Sequence, residues 1–288
     1  MSRRRSAQAV YDARPTIEGA GVRLRRVFGF GNEHAFDPFL MLDDFRSDAP
    51  ADFVPGFPWH PHRGIETITY VLRGDVEHGD SLGNRGVIGS GDVQWMTAGS
   101  GIIHQEMPQG DDGGHMWGFQ LWANLPAAEK MRDPRYRGLT GADIPSVVTE
   151  SGATVRVIAG EVEGVRGPVE GIVIDPEYLD VTVPAGAEFT HTIDPDRTAF
   201  AYCIAGGGEF APEVPLEDRQ ACLYAAGDHV RVRAGDDGVR FLLVSGRPLG
   251  EPIAWGGPIV MNTADELREA FREYEEGTFV KVGSVPER

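Results

Sequence analysis

One cadence limits what this chain can fold into: short runs rich in Val, Ile, Thr and aromatic residues, each cut off within a few residues by glycine or Gly-Asp, and stated twice. Ile65 to Leu72 reads as a strand, followed by a turn at Gly74-Asp75, a second strand, a turn at Gly83-Asn84, Val87-Ile88, a turn over Gly89 to Asp92, and Val93 to Met96. The cadence returns from Phe200 to Val244, with turns at Gly206-Gly207-Gly208, Gly227-Asp228 and Gly235 to Gly238. Runs of this length and composition, bounded by turn residues, are strands and not helices. The 38 glycines and 20 prolines sit in the breaks and form no low-complexity tract. With 288 residues, enough for one large or two ordinary domains, the expected fold is all-β and duplicated. It comprises an N-terminal domain over 1–135, a linker between Asp133 and Pro145, and a C-terminal domain over 145–288. One helix is expected at about 264–276. There Thr263 and Glu266 make a capping box, Leu267, Ala270, Phe271 and Tyr274 an apolar stripe, and Gly277 a stop.

Two short stretches carry the chemistry. His60-Pro61-His62 and His104-Gln105-Glu106 each place two potential metal ligands at alternate positions, the spacing that aims both side chains at one face of a strand. Imidazoles with a carboxylate form a mixed N/O set suited to a borderline divalent transition metal, iron foremost, rather than to calcium or magnesium. Glu66 offers a rival carboxylate, since His60, His62 and Glu66 approximate the His-x-His-x3-Glu motif of cupin barrels. Aligning Gly74 with Gly206 sets His60 and His62 against His191 and Ile193. Aligning Gly91-Asp92 with Gly227-Asp228 sets His104 and Glu106 against Arg240 and Leu242. The second repeat therefore lacks three of the four ligands and is expected to hold no metal, with His191 and His229 read as surface or turn residues.

A net charge of −17 argues against nucleic acid as a partner, because phosphate contacts need a basic face. Arg3-Arg4-Arg5 is followed by no apolar segment, and no run of about 18 apolar residues exists for a membrane span. A cytoplasmic location is the expectation. Cys203 and Cys222, in apolar context and outside any Cys-x-x-Cys spacing, read as buried thiols.

Taken in order, Asp37-Pro-Phe-Leu, Leu42-Asp-Asp-Phe45, Gly56 to Thr67, Gly91 to Gly99, Gly101 to Pro108 and Gly257 to Thr263 resemble the pirin family of the cupin superfamily nearly end to end. The resemblance implies two tandem cupin barrels, jelly-roll-like double-stranded β-helices, with one mononuclear iron in the first. Its ligands would be His60, His62, His104 and Glu106, which moves Glu66 to a supporting position. Fe(II) is the implied cofactor, and Mn, Co, Ni, Cu or Zn suit the same ligands. Some bacterial pirins open the flavonol quercetin with O₂, so the resemblance implies a small polyphenol and O₂ as partners, with Glu106 as catalytic base. Phe57 and Trp59, along with Trp95 and Trp117, are candidate pocket walls, and Gln94 and His115 are candidate polar contacts to substrate. The resemblance equally implies an alternative, a metal-dependent module that binds and regulates another protein. With two barrels already fused, a monomer is expected.

Overall fold

The computed structural model describes residues 3–283; positions 1–2 and 284–288, which the expected domain ranges include, lie outside the described residues. The chain is predominantly strand and divides into two compact units. Both barrels that the cadence implied are present, but the expected contiguous boundaries need correction. One unit gathers the chain through Ala13, His34–Pro38 and Ala142–Leu249; the other gathers Arg14–Glu33, Phe39–Gly141 and the chain from Gly250 onward. Each terminus thus joins the unit of the other half. Backbone pairing explains this. Strand Ala7–Asp12 completes an edge against Gln220–Tyr224, and Arg63 forms an isolated bridge to Ile259, tying the C-terminal segment to the metal-candidate strand. The expected linker is also ordered in part, since Arg135–Leu139 pairs with Val93–Thr97 as the edge strand of a sheet.

In the unit rich in candidate ligands, two sheets face each other. A seven-stranded sheet runs in the order Arg135–Leu139, Val93–Thr97, Ile65–Arg73, Trp117–Asn124, Phe39–Asp44, Val22–Phe28, Arg14–Glu18. A four-stranded sheet runs Phe57–His62, Ile102–Gly110, Asp75–Asp80, Arg85–Ile88. The repeat over 65–96 is therefore no simple meander, because successive strands Ile65–Arg73 and Asp75–Asp80 belong to different sheets. The chain turns that corner at Gly74. Its φ of +88° and the 2.9 Å that would separate an added Cβ from the His115 carbonyl admit only glycine without strain.

In the other unit a nine-stranded sheet carries an apolar core that includes Val155, Leu179, Phe189, Phe210 and Phe241. Here two expected turns lie inside long strands. Gly206 to Gly208 falls within Thr198–Ala211, and Gly235 to Gly238 within the 18-residue strand His229–Gly246. That strand pairs with Glu188–Thr192 along its first part and with Glu177–Val183 along its last, so the glycines bend it between partners instead of ending it. His191 and His229 accordingly sit in strands. His191 Nε2 lies 3.0 Å from Glu177 Oε1 and His229 Nδ1 2.6 Å from Asp228 Oδ1. Cys203 and Cys222 are buried free thiols.

The helix forms at Ala264–Glu275, within a residue of expectation. Thr263 Oγ1 accepts from the Glu266 N–H, and Glu266 Oε2 accepts from the Thr263 N–H, satisfying two end-of-helix donors. Ala270 is buried, and Leu267 and Tyr274 pack on Ile103, Ile259 and Phe279 of the same unit. Among the described residues no helix is long and apolar enough to cross a membrane.

Candidate metal centre

Strand Phe57–His62 presents His60 and His62 beside His104 of the adjacent strand, in a register that puts His104 directly opposite His60. Ligand atoms of the three histidines all lie within 4.8 Å of one another. The local bonding fixes which nitrogen each ring offers. His60 Nδ1 donates to the Pro58 carbonyl at 2.8 Å and His62 Nδ1 to the Pro258 carbonyl at 2.9 Å. Carbonyls only accept, so each Nδ1 carries the proton and each Nε2 presents a lone pair. Those two Nε2 atoms face each other at 3.0 Å. Two lone pairs at that separation repel unless a cation lies between or beside them. His104 is fully buried, and neither of its ring nitrogens has a hydrogen-bond partner among the described residues. An orphaned buried imidazole is costly, and it is the state expected of a ligand whose bond is to a metal.

Burial is the largest cause pushing all three imidazoles below their ordinary pKa, and their mutual repulsion adds to it for His62 and His104. They are neutral near pH 7, as ligation requires. The donor set therefore fits a divalent transition metal.

Glu106 is on the strand of His104, with a register shift between the two. It is not a member of the three-histidine cluster, but it lines the same cavity and its charge acts on His60. Thr69 Oγ1 donates to Glu106 Oε1 at 2.6 Å and Gln94 Nε2 to the same oxygen at 3.1 Å, which leaves Oε2 uncommitted among the described residues. Glu66 is differently employed. Its Oε2 accepts from Trp95 Nε1 at 2.9 Å and its Oε1 from Thr97 Oγ1 at 2.8 Å, so both oxygens are engaged away from the histidines.

The cluster opens on a cavity of about 610 Å³, within the usual size range for small-molecule sites. Phe57 and Trp59 line it, as do Trp122 and Trp255, which pack at 6.0 Å between ring centroids. The other sequence candidates are placed elsewhere. Trp95 is core. Trp117 stacks under Arg46 and is not part of the lining. Gln94 reaches Glu106 without lining the cavity, and His115 is bound to Asp111 outside it.

Sequence reading passed over several contributors. His78 lies opposite Glu106 in register, 5.6 Å in centroid distance from His104, and stacks on Tyr136 at 4.8 Å. Its Nε2 is 3.2 Å from Asp80 Oδ2. The alternation His78-Gly79-Asp80 was the available signal. Pro258 had none, because only the tertiary fold brings it to His62.

Comparison with known proteins agrees with this architecture. Residues 21–123 match the Pirin family and residues 178–280 the Pirin C-terminal cupin domain. A pirin-like protein of Caulobacter vibrioides is 45% identical over 94% of this chain and 97% of its own. A Pseudomonas aeruginosa protein whose name provisionally assigns it quercetin 2,3-dioxygenase activity is 43% identical over 96% of this chain and 99% of its own. The crystal structure of a quercetin 2,3-dioxygenase from Acinetobacter baumannii superposes with a TM-score of 0.87 at 31% identity, covering 96% of this chain and 98% of that one. With both halves matched in order and relatives of this identity along nearly the whole chain, the protein belongs to the pirin family.

Proposed function

We propose that His60, His62, His104 and Glu106 hold Fe(II) and that the protein opens flavonols such as quercetin with O₂. The observation that carries this reading is the cluster of three neutral imidazoles, His62 and His104 buried and His60 partly so, with their ligand atoms within 4.8 Å of one another beside an aromatic cavity that His60 and His62 line. A mixed N/O set favours iron, with Mn, Co, Ni, Cu and Zn as competitors for the same ligands. When bound, the metal supplies Lewis acidity towards a substrate oxygen and a redox partner for O₂.

The rest falls to the chain's own residues. Thr69 and Gln94 fix Glu106 through Oε1, so Oε2 is the atom free to accept the proton of the flavonol 3-hydroxyl. Trp122, edge-on to His62 at 5.0 Å, and Trp255 form a wall against which a flat ring system packs. Phe30, 75% exposed and edge-on to Trp255 at 5.7 Å, borders the opening. The names carried by relatives from Pseudomonas and Acinetobacter support the same substrate class.

The test is aerobic turnover by iron-loaded protein: quercetin should disappear with equimolar O₂ uptake and carbon monoxide release. A protein that holds one metal per chain yet consumes no O₂ with quercetin or related flavonols is no dioxygenase of this class, and the site then belongs to a metal-dependent protein-binding module.

A further inference from the structure

The seven-stranded sheet carries an unbroken polar row on one face, and the Gln120, Asp43 and Arg26 end of it lines the cavity. Gln94 is in register with Thr69, Thr69 with Gln120, Gln120 with Asp43, and Asp43 with Arg26. Directly opposed residues of antiparallel strands project to the same side, and the bonds along the row agree. Thr69 Oγ1 gives its one proton to Glu106, so the Gln120 amide 3.0 Å away is oriented with its nitrogen donating to that hydroxyl. Arg26 grips Asp43 with Nε and Nη2, both at 2.8 Å, and Glu18 with Nη1 at 2.9 Å. Glu18, Arg26, Asp43 and Gln120 all line the cavity that His60 and His62 also line.

A purely structural ion pair would have its polar atoms satisfied and turned away from the cavity. This row has spare capacity at residues that line it. Gln120 lines the cavity, and the end of its amide turned from Thr69 has no partner among the described residues. Arg26 uses three of the five donors of a guanidinium, leaving two, and the carboxylates keep lone pairs. Two carboxylates against one guanidinium leave a net charge of −1, which disfavours a carboxylate or phosphate on the ligand and favours neutral hydroxyls. Burial, offset by Arg26, leaves the Asp43 carboxyl at about 6, so it remains an acceptor at neutral pH.

The row also sets a length. At a strand spacing of about 4.8 Å, Asp43 lies about 10 Å along the sheet from Thr69, the residue that holds Glu106, and Arg26 about 14 Å. A three-ring flavonoid spans a comparable distance.

We propose that Glu18, Arg26, Asp43 and Gln120 form a second recognition subsite that selects polyhydroxylated flavonoids by hydrogen-bonding the ring hydroxyls remote from the metal-bound oxygen. It rests on the flavonol reading and gives that reading a specificity determinant. A remote hydroxyl donates to Glu18 or Asp43 and accepts from Arg26, and the unpartnered end of the Gln120 amide pairs with a hydroxyl nearer the metal. A flavonol without these hydroxyls covers the remaining Arg26 donors and carboxylate lone pairs without pairing them.

The experiment is equilibrium binding to anaerobic, metal-loaded protein, followed by quenching of tryptophan fluorescence, with quercetin and with 3-hydroxyflavone, which shares the metal-binding oxygens but lacks the remote hydroxyls. Wild type should bind quercetin at least about tenfold more tightly, the worth of one good hydrogen bond. Glu18→Gln, at a partly exposed position, and Gln120→Leu should each weaken quercetin about tenfold and change 3-hydroxyflavone less than about twofold. Equal wild-type affinity for the two ligands, or equal weakening of both by the variants, overturns the subsite and leaves the flavonol reading standing. Failure of wild type to bind either ligand overturns both.

Discussion

Glu66 and Glu106 are both buried carboxylates of one barrel, and replacing Glu66 separates their roles. Glu66 is 1% exposed and accepts one hydrogen bond on each oxygen, from the Trp95 indole and the Thr97 hydroxyl. Glu66→Leu leaves both donors in the core without an acceptor, at about 1–3 kcal/mol each, while removing a carboxylate that is itself costly to bury. A net loss of about 3 kcal/mol follows, and at about 2–4 °C per kcal/mol the midpoint should fall by about 6–12 °C. Glu66→Gln should cost only about 1 kcal/mol, because its carbonyl serves Trp95 and the Thr97 hydroxyl can rotate to accept from the amide. Urea and thermal unfolding of metal-free protein measure these costs, and metal analysis of loaded protein should find both variants at the wild-type level. The pH dependence has a definite sign. Burial, the largest cause, raises the Glu66 pKa above its ordinary 4.5, so the stability contributed by this group is full below 4.5 and is lost as pH rises through the raised value. The margin of wild type over Glu66→Gln should therefore narrow as pH rises from 4.5. Loss of metal from Glu66→Leu with retained fold, or a stability change below about 1 kcal/mol, would refute the assignment of Glu66 to the barrel wall.

Two further substitutions probe what surrounds the centre. Gly64→Ala would place a Cβ 2.0 Å from the Val260 carbonyl at a φ of +78°. It should cost at least about 3 kcal/mol and, by displacing the segment whose Pro258 carbonyl orients His62, lower metal affinity about 10–100-fold in a competitive chelator titration. Thr263→Ala removes the helix cap and should cost about 1 kcal/mol in urea unfolding with metal content unchanged.

Much of this centre was legible because its information is local. Alternate-residue pairs on strands announced His60, His62 and His104, and a capping box announced the last helix within a residue. What escaped depended on long-range pairing. Gly206 to Gly208 and Gly235 to Gly238 look like turns in sequence, yet both lie inside long strands: Gly206 to Gly208 pair with neighbouring strands, and Gly235 to Gly238 fill the gap where one strand passes from one partner to the next. Nothing near residue 258 advertises a hydrogen bond to His62, 196 positions away. His115 follows a glycine-rich loop and looked available, but Asp111 accepts from both its backbone N–H and its ring. The row from Gln94 to Arg26 needed four strand registers, none of which alternation alone supplies.

On the proposed function, three histidines and Glu106 hold one metal ion. Anaerobic loading of metal-free protein with Fe(II), dialysis and elemental analysis test it most directly, using wild type, His62→Ala, His104→Ala and Glu106→Ala, each checked for unchanged far-UV circular dichroism. Wild type should retain one iron per chain and the variants little or none. Wild type that loads well below one iron, or a folded His104→Ala that keeps its full complement, would contradict it.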